Sequence, residues 1–266
     1  MSIKRPLAWT TLALIACALV SACASAGKPS AGSAASPTRR LPDEKNPQYQ
    51  YEKGLIALNY GLVDEAVKYG EVAVGLDPAH YKSWLLLGSA FFSKGEFERS
   101  IEAYEKAVAL KPGEAEAHKY LGLARLELKD YIRAEASLKQ AAALREEADT
   151  LFQLGKACHL QGKNEEALAY AERSIRKEGK NPLAYNLKGV VLNQLGRYAE
   201  AAGAFSAGLV LAPEDIALQV NLGIAYINAN ELKKGQEVLE KVLPKIQDAA
   251  LKARVQNYLD SIRQER

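Results

Sequence analysis

The chain has 266 residues, of which 48% are hydrophobic and 25% charged, and its formal net charge is +3. That hydrophobic share is ordinary for a globular protein. No long basic run is present, which argues against nucleic acid as the main partner and against strong electrostatic binding to a membrane. The three cysteines, Cys17, Cys23 and Cys158, do not make a disulfide framework.

At the N-terminus, Lys4 and Arg5 form a short basic head, and Leu7 to Val20 is apolar apart from Thr10 and Thr11. Such a stretch is shorter than the roughly 20 residues a membrane span needs. It fits the apolar region of a secretory signal. Val20-Ser21-Ala22-Cys23 follows and resembles the lipobox of bacterial lipoproteins, where the signal is cut before the cysteine and the thiol carries diacylglycerol. The resemblance implies a signal peptide over 1–22 and a lipid on Cys23. Leu14-Ile15-Ala16-Cys17 also fits the pattern, although a cut there leaves too short an apolar region. Ala24-Ser25-Ala26 suits ordinary signal peptidase, so a soluble periplasmic or secreted product stays open, as does an uncleaved anchor. A lipid with two or more chains anchors stably where one chain does not. Ala24 after the cysteine implies, by analogy with lipoprotein sorting, an outer-membrane destination facing the periplasm. Removal of 1–22 brings the charge to +1 and leaves Cys158 as the free thiol.

Residues 23–46 read as a lipidated N-terminus and flexible linker. Ala, Ser, Gly and Pro dominate through Pro37, and Arg39, Arg40, Asp43, Glu44 and Lys45 follow. This composition cannot bury enough apolar surface to order itself. As a coil it spans on the order of 25–30 Å.

From residue 47 the chain repeats. Gly54, Gly88, Gly122, Gly155, Gly189 and Gly223 stand 34, 34, 33, 34 and 34 residues apart. Twelve positions after each comes a small residue: Ala66, Ser100, Ala134, Ala167, Ala201 and Gly235. Each glycine sits inside an apolar-periodic segment that reads as helix, where it costs roughly 0.5–1 kcal/mol against alanine. Close approach of an antiparallel second helix would offset that cost. Between the two markers stand Gly61, Gly95, Gly162, Gly196 and Asn230, which can take the left-handed conformation that ends a helix. Lys129 is the exception at this place. Each unit is therefore helix, short turn, helix.

These residues resemble tetratricopeptide repeats. The second unit carries Trp84, Leu87, Gly88, Phe91, Ser100, Tyr104, Ala107 and Pro112, and the fifth carries Tyr185, Gly189, Leu192, Ala201, Phe205, Gly208 and Pro213. The sixth holds Leu222, Gly223, Tyr226 and Leu239. A closing proline appears at Pro78, Pro112 and Pro213; Glu146, beside a one-residue deletion, and Gly179 replace it elsewhere. The resemblance implies an all-α fold, a right-handed α-solenoid of six hairpins over 47–245 (47–80, 81–114, 115–147, 148–181, 182–215 and 216–245). Past Pro244 the period stops. Residues 246–266 read as a capping helix with Leu251, Val255, Leu259 and Ile262 on one stripe.

Catalysis finds little footing. Cys158 and His159 are neighbours, but adjacent residues on a helix do not face each other. Cys158 falls where other units carry Ala57, Phe91, Leu192 and Tyr226, a packing position. His80, His118 and His159 are scattered, without metal-ligand spacing, and no phosphate loop, H-E-x-x-H or G-x-S-x-G occurs. The expectation is a non-enzyme with no cofactor, no metal and no small-molecule substrate.

Recognition then falls to the concave face, which in the repeat family is lined by the first helix of each unit. The resemblance maps that lining to Tyr51, Leu55 and Leu58, then Leu85, Ser89 and Phe92, then Lys119, Leu123 and Leu126. It continues as Phe152, Lys156 and His159, then Asn186, Val190 and Asn193, then Val220, Ile224 and Ile227. The basic-and-asparagine clamp by which some relatives hold a C-terminal carboxylate is not reproduced, since Lys119 is matched with Leu123. The expected surface is an apolar groove with polar punctuation at Lys156, His159, Asn186 and Asn193, suited to an amphipathic helix or extended segment. Some of these side chains are expected to belong to the interhelical core.

A lipobox, a flexible stretch and six repeats together resemble the type IV pilus biogenesis and stability lipoproteins, which help an outer-membrane secretin assemble. Lipoproteins of outer-membrane β-barrel assembly and of cell-wall enzyme regulation share the layout, as would a generic envelope adaptor. The implied partners are protein or peptide segments, with an outer-membrane secretin among them, and a membrane through the lipid anchor.

Overall fold

The computed structural model describes residues 44–264. The signal, the lipobox and Cys23 lie outside the described residues, as does the linker up to Asp43.

Thirteen α-helices and one 3-10 turn make up the described residues, with no strand among them. In chain order they are α1 (Pro47–Asn59), α2 (Val63–Leu76), α3 (Tyr81–Lys94), α4 (Phe97–Leu110), α5 (Ala115–Glu127), α6 (Tyr131–Leu144) and α7 (Ala148–Leu160). There follow α8 (Asn164–Lys177), α9 (Pro182–Gln194), α10 (Tyr198–Leu211), α11 (Ile216–Asn228), α12 (Leu232–Val242) and α13 (Ala249–Gln264). The starts are chemically marked. Asn46 and Asn181 accept from the amides of Gln48 and Leu183, each with proline at the first helical position. Asp130 and Asp215 cap α6 and α11 in the same way.

All six turn residues between the markers have positive φ. Gly61, Gly95, Gly162 and Gly196 lie at 75–77°, and Lys129 and Asn230 at 60° and 63°. Lys129 thus takes the same left-handed conformation as the glycines, at a cost a glycine would not carry.

The helices form two compact units, one ending at Leu128 and one beginning at Lys129. In the first, α1 to α5 pack in sequence around two apolar clusters. One gathers Ala57, Ala66, Leu87, Ala90 and Phe91; the other gathers Leu85, Phe92, Tyr104, Tyr120 and Leu121. In the second, α6 to α13 pack consecutively in the manner of a tetratricopeptide α-solenoid. There α13 closes the end, burying Val255 and Leu259 against Val220, Leu239 and Val242.

The glycine markers do mark close approach. A Cβ added at Gly88 would stand 2.4 Å from the Tyr104 ring, and one at Gly189 2.5 Å from the Phe205 ring. The small residue twelve positions on is the counterpart. Ser100 Oγ donates to the Gly88 carbonyl at 2.8 Å, and the Ala167 carbonyl would lie 3.2 Å from a Cβ at Gly155.

A second recurring device joins one hairpin to the next. The side chains of Trp84, His118, Tyr185 and Gln219 donate to the carbonyls of Pro78, Pro112, Gly179 and Pro213 at 2.6–3.3 Å. Each reaches back six residues. The junction that lacks one residue is held otherwise: Ser174 Oγ donates to the Ala148 carbonyl at 2.7 Å, and Arg173 pairs with Glu146 at 2.6 Å.

Candidate functional site

Residues spaced by four and then three along a helix share one face, and the expected lining follows that register. In the first unit, Tyr51 and Leu55 on α1 are half-buried. The Tyr51 ring meets His80 edge-on at 5.8 Å, and Lys82 Nζ lies 6.0 Å from the Tyr51 ring centre. Leu85 and Phe92 lie deeper, at 5% and 8% exposure inside the core, with Phe92 packed edge-on to Phe97 at 5.3 Å. They pack beneath the face more than they line it. On α5, Lys119 and Leu123 are half-buried; Lys119 Nζ sits 5.4 Å from the Tyr120 ring centre and Leu123 packs on the core.

The second unit has the richer surface. On α7, Phe152, Lys156 and His159 are half-buried, and His159 Nδ1 is buried with no hydrogen-bond partner. On α9, Asn186, Val190 and Asn193 are half-buried. On α11, Ile224 is 8% exposed and belongs to the terminal core, so it too is packing beneath the face. Two asparagines outside the expected lining complete the picture. Asn221 Nδ2 donates to Asn186 Oδ1 at 2.9 Å, and Asn228 Nδ2 donates to Asn193 Oδ1 at 3.1 Å. Their signal was present in the sequence as a recurrence at 35 residues, one more than the repeat period.

Away from this face, Glu135 forms an ion-pair hub. Its side chain is 7% exposed, pairs with Lys139 at 2.5 Å and Lys163 at 2.7 Å, and accepts from Gln161 Nε2 at 2.6 Å. Burial pushes the Glu135 carboxyl up, but the two ammonium groups and Gln161 outweigh it and hold it at about 2. Ligand atoms of Glu135, Cys158 and Glu166 lie within 4.8 Å of one another. The donor set does not suit a metal: two lysines already hold the buried carboxylate, and burial pushes the Cys158 thiol up to about 11, away from the thiolate a metal needs. Beside the hub, Lys139, Glu146, Leu154, Tyr170 and Arg173 line an open cleft of about 430 Å³. His80 bonds Ser83 and Gln48, and His118 donates to a loop carbonyl, so both imidazoles serve local structure. No helix among the described residues is long and apolar enough to cross a membrane.

Comparison with known proteins agrees with the helix order. Tetratricopeptide-repeat family signatures match residues 88–129, 121–182, 161–216 and 192–255. The chain is built of tetratricopeptide repeats. Among curated proteins it is similar to a tetratricopeptide repeat and J domain-containing co-chaperone, DNJ1, of Fusarium oxysporum. They are 27% identical over 205 residues, which is 73% of this chain and 39% of that one. The repeat chain spans less than half the length of the curated relatives it matches. Among solved structures it resembles YrrB, described as a tetratricopeptide-repeat protein with an unusual peptide-binding site. The TM-score is 0.63 at 22% identity, covering 72% of this chain and all of YrrB. It also resembles pilF of Pseudomonas aeruginosa, with a TM-score of 0.69 at 18% identity, covering 79% of this chain and 96% of that one. At such identities the likeness is one of fold.

Proposed function

We propose that this tetratricopeptide-repeat chain is a lipid-anchored adaptor of the bacterial cell envelope. It binds protein segments on the face of the first helices α7, α9 and α11 in the unit that begins at Lys129, and it assists assembly of a type IV pilus secretin. The observation that carries the binding role is the half-buried face of the second unit. There Phe152 and Val190 offer apolar contact, and Lys156, His159 and the two asparagine pairs offer hydrogen bonds. Such a mixture fixes a segment by apolar contact and orients it by a few polar groups. In this reading the adaptor acts by binding and carries no catalytic role. The envelope assignment rests on Val20-Ser21-Ala22-Cys23, with Cys23 as the lipid-bearing residue and the outer membrane, periplasmic side, as destination. The pilus assignment rests on that layout together with the fold shared with pilF.

The test is crosslinking in intact cells, followed by purification of the protein and mass spectrometry of its partners. The expected result is a secretin or another pilus-machine subunit, recovered with the wild type and lost with Cys23→Ser. Recovery of barrel-assembly or cell-wall proteins with no secretin overturns the pilus assignment and leaves the anchored adaptor.

A further inference from the structure

The first hairpin leaves open a face that every later hairpin closes. The residues equivalent to Ile56 are Ala90, Ala124, Ala157, Val191 and Ala225, and all five are 0% exposed. The equivalents of Tyr49, from Ser83 to Leu218, are no more than 1% exposed. The preceding hairpin is what seals them. Ala90 shares a cluster with Ala57 and Ala66 of α1 and α2, and Ala117 and Ala124 share one with Leu85 and Tyr104 of α3 and α4. Among the described residues no hairpin precedes α1. There Ile56 is 56% exposed, Tyr49 is half-buried and Tyr60 is exposed, and the three share one stripe of the helix.

Two charges are set into this face. Where the second, third and fourth hairpins bury Leu87, Leu121 and Leu154, the first carries Lys53, and where the second buries Leu86 it carries Glu52. Lys53 Nζ lies 4.9 Å from the Tyr49 ring centre and 5.3 Å from that of Tyr69, and Glu52 accepts from Gln48 Nε2 at 2.8 Å. Neither charge is in an ion pair among the described residues. As neighbours in sequence they point about 100° apart, so they flank the stripe on opposite sides and do not face each other.

That pattern is complementary to itself. A foreign surface would need a cation on one flank and an anion on the other, and a second copy of α1 has both. With α1 parallel to its copy about a two-fold axis along the helices, opposite flanks meet. Glu52 of each chain then lies against the partner's Lys53, as the charges flanking a parallel coiled coil do. Tyr49 and Ile56 meet their own counterparts one turn to either side of these charges. An antiparallel pairing would set each charge against its like.

We propose that the open face of α1 is an interface between two copies of this chain, with the two α1 helices parallel and Glu52 and Lys53 paired reciprocally across it. Tyr51 and Leu55 lie off the stripe, so pairing leaves the expected lining of α1 uncovered.

The experiment is sedimentation equilibrium of the purified full-length protein in a density-matched detergent, which reports protein mass alone and keeps any lipid on the chain solvated. A mass twice that of the monomer is expected at tens of micromolar. Ile56→Asp should give the monomer mass with unchanged circular dichroism, because Ile56 is exposed in the single chain. Lys53→Glu and Glu52→Lys should each weaken the dimer by roughly tenfold or more, since both reciprocal pairs become like-charged. An equimolar mixture of those two variants should restore the dimer, because each chain then offers the other the opposite charges. A folding defect in either variant cannot produce that rescue. A monomeric wild type, a dimer that Ile56→Asp leaves intact, or a mixture no tighter than its parts each overturns the proposal. So does a monomer whose α1 amides gain protection from exchange on vesicles of phosphatidylethanolamine and phosphatidylglycerol, which would assign the face to lipid. The secretin crosslink that tests the adaptor reading is independent of all these outcomes.

Discussion

Replacing Glu135 with glutamine tests how the second unit is held together. The substitution keeps the side chain's shape and an acceptor for Gln161, and removes the charge that Lys139 and Lys163 grip. Lowering that carboxyl from its ordinary 4.5 to about 2 corresponds to about 3 kcal/mol of stability at neutral pH. Because the folded value lies below the unfolded one, this stability is complete above about pH 5 and lost as the pH falls through about 2. The two lysine side chains are 44% and 42% exposed, so on losing Glu135 their ammonium groups return to water and add little further penalty. Glu135→Gln should therefore cost about 2–3 kcal/mol at pH 7. The gap between wild type and variant should shrink below about 1 kcal/mol near pH 2. Urea denaturation followed by far-UV circular dichroism gives the difference. Amide exchange over α6, α7 and α8 shows whether it is local, as expected for a stacked array. A gap that is unchanged between pH 7 and pH 2, or that is under about 0.5 kcal/mol at pH 7, refutes the ion-pair account.

Three further outcomes are expected. Gly88→Ala should destabilise by about 1–3 kcal/mol, because the new Cβ would meet the fixed Tyr104 ring at 2.4 Å. Gly203→Ala, with nothing within 4 Å, should stabilise by about 0.5–1 kcal/mol; urea midpoints compare the two. Phe92→Ala should lower the melting temperature sharply at a cost of about 3–5 kcal/mol, while Phe152→Ala should cost less and act on partner recovery in the crosslinking assay. Lys129→Gly should raise the urea midpoint, relieving up to about 1 kcal/mol at a φ of 60°.

The hairpins were legible because close packing leaves few solutions. A Cβ at Gly88 or Gly189 has nowhere to go, so the glycine recurs and betrays the period. The left-handed turns were legible where glycine or asparagine filled them and not at Lys129, since a chain can tolerate the strain there without announcing it. The face was legible only in register. Leu85 and Phe152 hold equivalent places in their first helices, yet one is buried and the other half-buried. Depth is set by neighbouring hairpins, and a periodic pattern carries no information on it. Asn221 and Asn228 fell one residue past the register that places the lining. The Glu135 hub joins residues 26 and 28 positions apart, and the ion pair of Arg99 with Glu71 at the same separation sits at other places in its repeats.

The back-reaching bond at the hairpin junctions has a consequence for how such a fold ages in evolution. An indole, an imidazole, a phenol and a carboxamide make the same connection to the carbonyl six residues earlier. Four chemically unrelated side chains are interchangeable because the place asks only for sufficient reach and one donatable hydrogen. A site with so loose a requirement can change identity freely while the geometry it enforces stays put. Letters drift while backbones superpose, which is the combination seen in an 18% identical chain with a TM-score of 0.69.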